Sequence, residues 1–155
     1  MSTTISNIIS SLENVNSGHP WFGRAVYEIM DEVDETKVFI KPGNTEHSLI
    51  ELLYHMITWT DFTIQRIQKD KINDLAAAEE LDWRTIDPKK HSWKKGLAEF
   101  KKTNKNIIEL LKKKEDSFLK EKVDYRKYDF AFLLNGLIQH HIYHLGQIAY
   151  LNKLL

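Results

Sequence analysis

The chain of 155 residues contains no cysteine. That excludes disulfides, thiolate metal ligands and cysteine nucleophiles, and leaves histidine and carboxylate as the available metal ligands. Net charge is also missing, since Lys+Arg and Asp+Glu both number 22. There is thus no basic field to draw the protein to nucleic acid or to an acidic membrane, and neither is expected as a partner. No apolar stretch approaches the roughly 20 residues of a membrane span. The opening MSTTISNIISSLENVNSG has no basic segment followed by an unbroken apolar run, so no leader is expected and the cytoplasm is the expected compartment.

What is present is the balance of a folded protein, with 42% apolar and 28% charged residues. A length of 155 residues suits one domain over residues 1–155 with a genuine buried core. Ile5, Ile8, Ile9, Leu12 and Val15 recur at three- and four-residue steps, which predicts an amphipathic helix ending near Ser17-Gly18. Pro20 can open a second helical segment, whose stripe of Trp21, Phe22, Ala25, Val26, Ile29, Met30 and Val33 runs to about Asp34. Lys41-Pro42-Gly43-Asn44 breaks the chain, and Thr45 or Ser48 can cap a long helix from about Glu46 to Gln68. From Asp70 to His91 the period is lost, which predicts a long connection with one short helical piece at most. A further helix starts near Ser92 and runs through Leu111 to Lys112-Lys113-Lys114, where positive charge complements the helix dipole. After a charged loop, the last helix spans Tyr128 to Leu154, with Phe132, Leu133, Leu137, Ile148, Leu151 and Leu154 as its core. The expected fold is all-α: a four-helix bundle with an extra N-terminal helix and a long connection between the second and third core helices.

Seven histidines are present. At about 100° per residue, His140 and His144 fall inside the predicted apolar arc of the last helix, and His141 falls near its edge. His19, His47 and His91 lie at helix starts or in loops, where capping or surface roles suit them. A buried imidazole needs partners for both ring nitrogens, so each core histidine either finds a protein partner or binds an ion. The i, i+4 spacing of His140 and His144 stacks them on one face within reach of a single ion. It is the spacing of HExxH zinc helices without the glutamate, so metalloprotease chemistry is not supported. His55 lies on the flank of its own stripe, on the side of Leu52 and Trp59, and is placed to complete a three-histidine set. Such a set, with a coordination position left open, suits zinc, nickel, iron or manganese.

The segments Leu52-Leu53-Tyr54-His55-Met56-Ile57-Thr58-Trp59 and Gln139-His140-His141-Ile142-Tyr143-His144-Leu145-Gly146-Gln147-Ile148 resemble the two signature helices of the DinB-like, or YfiT-like, metalloenzymes. His19-Pro20-Trp21-Phe22-Gly23 is similar to the opening of some members. The resemblance implies a four-helix bundle with one divalent metal on His55, His140 and His144, zinc or nickel before iron or manganese. It also implies a small-molecule substrate and an activity such as S-transfer from bacillithiol or another low-molecular-weight thiol, or a related hydrolysis. The alternative is a non-catalytic metal- or ligand-binding bundle, as in a stress response. A homodimer is expected, since relatives pair through bundle faces. No general base is identifiable. His141, Tyr143 and Gln147 are candidates to support the ligands, Trp59 could wall a pocket, and Gly136 would leave space above the metal.

Overall fold

The computed structural model describes residues 3–70 and 75–155, and among them the regular elements are helices, with no strand. In chain order they are α1 (Ile5–Ser17), α2 (Val26–Asp31), α3 (Leu49–Ile67), α4 (Leu75–Asp82), α5 (Trp93–Leu111), a 3-10 turn (Asp116–Lys120) and α6 (Phe130–Leu154). The long helices α1, α3, α5 and α6 form the bundle. Helix α3 packs against both α5 and α6, α1 closes on α6 and α5, and the shorter α2 and α4 lie against α1 with α6 and against α3 respectively.

Local chemistry sets the helix starts. Thr4, Ser48, Ser92 and Asp129 each stand in extended conformation and accept a backbone N–H three residues ahead. At Ser48 the arrangement is a full capping box, because the Glu51 carboxylate also accepts from the Ser48 backbone at 2.7 Å. A cap of this kind contributes about 1 kcal/mol and fixes where α3, the carrier of His55, begins. In α5 the buried Trp93, Leu97, Phe100, Asn104, Ile107 and Leu111 follow alternating steps of four and three, the spacing of a narrow helix seam. Helix α6 repeats that spacing through Phe130, Leu134, Leu137, His141, His144, Ile148 and Leu151.

The structure departs from the sequence pattern at several points. The second helical segment is shorter than expected: residues 20–24 form turns, Trp21 is 100% exposed, and regular helix begins only at Val26. Gly23 adopts φ +132° and bonds back to the Pro20 carbonyl, so a turn replaces the helix that the apolar spacing suggested. Helix α3 begins after Ser48, leaving His47 outside it. Helix α6 begins after Asp129, and its expected core members Phe132 and Leu154 are 66% and 51% exposed. The charged loop before it contributes to the core, because Phe118, Leu119 and Val123 are buried and Phe118 stacks on Phe130 at 4.1 Å. Of the connection from Asp70 to His91, residues 71–74 lie outside the described residues, and α4 is its helical piece.

Candidate metal centre

Helices α3 and α6 face each other where His55 meets His140 and His144. The Nε2 atom of His55 lies 2.9 Å from Nε2 of His140 and 2.8 Å from Nε2 of His144. These three residues are the group among the described residues whose donor atoms converge closely enough to hold one ion. His55 and His144 are buried and His140 is half-buried. Burial, with the neighbouring imidazoles adding to it, pushes His55 and His140 down to about 3, and burial lowers His144 as well. The rings are therefore neutral near neutral pH, the form that ligates a metal.

Two flanking groups stand beside the Nδ1 atoms of His144 and His55. The Gln147 Oε1 atom, which can only accept, stands 2.5 Å from Nδ1 of His144. On the other side Asp82 Oδ1 stands 2.5 Å from Nδ1 of His55 and accepts the Trp59 indole N–H at 2.7 Å. The Asp82 contact is closer than it is well directed, since His55 Nδ1 makes no hydrogen bond of good geometry. Burial raises the Asp82 carboxyl and lowers His55, so the contact orients the ring rather than forming a full ion pair. With a proton on Nδ1 of both rings, their Nε2 lone pairs face each other at 2.8 Å. Two bare acceptors at that separation repel each other, and a shared cation removes the repulsion. The donor set therefore fits a metal-binding site better than a self-satisfied hydrogen-bond cluster.

Trp83 covers this group. Its ring lies 3.9 Å from His55 and within 8° of parallel, and His47 stacks on its other face at 3.6 Å. His47 thus has a packing role at the rim of the site. His91 accepts the Asp87 backbone N–H through Nδ1, and His19 is exposed in the turn after α1. Neither joins the cluster. His141 differs from its expected place at the edge of the arc. Helix α6 also buries Leu134, Ile138 and Leu145, which widens the arc and puts His141 at its centre, 0% exposed, with Thr60 Oγ1 at 3.3 Å. His140 is left at the margin. Tyr143 points to solvent, being 65% exposed, whereas Gln147 does meet a clustered ring. Trp59 and Gly136 both line a cavity that reaches His140.

Asp82 and Trp83 were not singled out from the sequence. Asp82 ends α4 and Trp83 follows it, within a connection that has no sustained period in the sequence, and the only signal was that long ordered connections tend to border sites. The chain matches the DinB superfamily over residues 22–148, a span that includes all three clustered histidines. No curated protein matches it. No helix among the described residues is long and apolar enough to cross a membrane.

Proposed function

The chain belongs to the DinB superfamily, and from that premise we propose that it is a divalent-metal-dependent enzyme acting on a small molecule, its ion held by His55, His140 and His144. The observation that carries this reading is the convergence of the three imidazoles, with Nε2 of His55 2.9 Å from that of His140 and 2.8 Å from that of His144. Zinc or nickel suits three nitrogen donors best, with iron and manganese as alternatives. When bound, such an ion acts as a Lewis acid that lowers the pKa of a thiol or water near it. The proposed reaction is transfer of a bacillithiol-type thiol to an electrophile, with hydrolysis as the related alternative. Asp82 and Gln147 hold the rings of His55 and His144 in the ligating tautomer, and Trp83 keeps water off one face of His55. A thiol co-substrate suits a reducing compartment, the cytoplasm.

Pairing of two copies belongs to the same proposal. Tyr143, Tyr150 and Leu154 are all more than half exposed, and at 100° per residue they fall within about 40° of one another on α6. Sedimentation at micromolar protein should give a dimer, and a monomer at every concentration would remove this part alone.

The function is tested by metal analysis of untagged protein, followed by addition of small thiols to electrophilic acceptors, with small amides and esters in parallel. Turnover should require the metal and vanish in folded His55→Ala and His144→Ala variants. Four protein ligands in the loaded site, or turnover that survives loss of both the metal and His144, would leave the non-catalytic binding bundle in its place.

A further inference from the structure

A cavity of about 190 Å³ lies between α3 and α6, and His140 forms part of its wall. Phe132, which is 66% exposed, also lines it, so the cavity communicates with solvent. The remaining wall is largely apolar, with Trp59 and Phe62 on the α3 side and Leu133 and Leu137 on the α6 side. Its few polar groups are mostly engaged elsewhere. The Thr63 hydroxyl donates to the Trp59 carbonyl at 2.8 Å, and the Trp59 indole N–H is given to Asp82. Among the described residues no charged side chain lines the cavity, so its described wall suits an apolar group better than a phosphate or carboxylate.

Gly136 adds no side chain to this space. A Cβ built there meets nothing within 4 Å, and the residue sits inside a regular helix where glycine costs roughly 0.5–1 kcal/mol relative to alanine. Neither a special backbone angle nor close helix packing accounts for it. It stands one turn before His140, so the missing side chain clears the ground beside the proposed ligand.

We propose that this cavity is the acceptor subsite: it takes an aryl or compact branched alkyl group of the electrophilic substrate and so places the reactive carbon beside the ion. Size supports this, because an apolar cavity of about 150 Å³ admits benzene. One substituted ring fits, whereas a nucleotide or a disaccharide is too large and too polar. The inference rests on the reading of His55, His140 and His144 as metal ligands for its placement, but not for the binding of the apolar group itself.

The test is fluorine NMR of para-fluorotoluene with the zinc-loaded and the cobalt-loaded protein. The probe should bind saturably to both forms and broaden further with paramagnetic cobalt. Gly136→Leu should weaken binding about ten-fold or more while one ion per chain is retained. Gly136→Ala, whose Cβ meets no neighbour, should give a smaller loss in a fold that is not in question. Gly146→Leu, on the exposed side of the same helix, should change nothing. Absence of saturable binding, or equal binding by Gly136→Leu, overturns the subsite. Binding without added broadening by cobalt overturns its placement beside the ion. If the protein takes up no metal, the metal reading falls by that measurement, and probe binding to the metal-free protein with its loss in Gly136→Leu still decides whether the cavity accepts the ring.

Discussion

Asp82, the last residue of α4, sets its Oδ1 atom 2.5 Å from Nδ1 of His55. The same oxygen takes the Trp59 indole N–H, so a residue of the connection and two residues of α3 are tied into one arrangement. Groups that orient a ligating imidazole in this way are worth about 10–100-fold in metal affinity. Asp82→Ala should therefore weaken metal binding by about that factor without unfolding the bundle, and Gln147→Leu should act similarly through His144. Isothermal titration of the metal-free variants measures both. Affinity equal to that of the parent protein would remove the orienting role.

Alanine at His55, His140 or His144 should cost more than loss of an orienting group, hence more than about 100-fold, with close to one ion per chain in the parent protein. Alanine at His19 or His91 should leave occupancy unchanged, since neither touches the cluster. His47→Ala should also keep the ion, because His47 meets Trp83 and not the clustered nitrogens. Equal losses from both sets would mark the binding as adventitious surface chelation.

The long helices were legible because period is a local property, and Ser92 before Trp93 is read directly from the chain, whereas Thr45 and Ser48 both suited the start of α3, expected near Glu46 and found at Leu49. The i, i+4 pair on α6 was legible for the same reason. The turn at Gly23 was not, because Trp21 and Phe22 supply apolar spacing that no neighbour covers. The depth of His141 was missed because a helical wheel gives relative angles and not the width of the covering, which here comes from several elements packed on α6. The contacts of Asp82 and Trp83 join residues far apart in sequence through an aperiodic segment, and spacing carries no information about such contacts.

Trp83 should report the ion directly. Its ring lies 3.9 Å from His55, while Trp21 is fully exposed and Trp93 is buried with its N–H on the Met30 carbonyl. Titration with nickel or cobalt should quench tryptophan fluorescence with a one-to-one end point. Trp83→Phe should lose the largest share of that quenching and keep metal affinity within a few-fold. Undiminished quenching in Trp83→Phe would overturn Trp83 as the reporter, and its loss in a Trp59→Phe variant would assign it to Trp59, which is tied to Asp82 beside His55.

Acid should destabilise the metal-free protein through its buried histidines. His141 is held at about 3 in the fold against an ordinary value of 6.5, chiefly by burial, with the charges of His140 and His144 adding. The unfolded chain takes up its proton near 6.5 and the folded chain does not. The contribution of this ring is thus fully present above 6.5 and is lost as the pH falls from 6.5 toward 3. Within that window the loss is about 1.4 kcal/mol per pH unit for such a group, and His55 and His140 act in the same direction. His141→Leu should flatten the profile, and it leaves no orphan because the Thr60 hydroxyl already donates to the Met56 carbonyl at 2.8 Å. Urea midpoints measured between about pH 7 and pH 5 test this. A parent protein with constant stability across that range, or a variant as acid-sensitive as the parent, would show that His141 is not the buried neutral group its surroundings require. Loading with zinc should steepen the parent's profile further, since protons then compete with the ion for His55, His140 and His144.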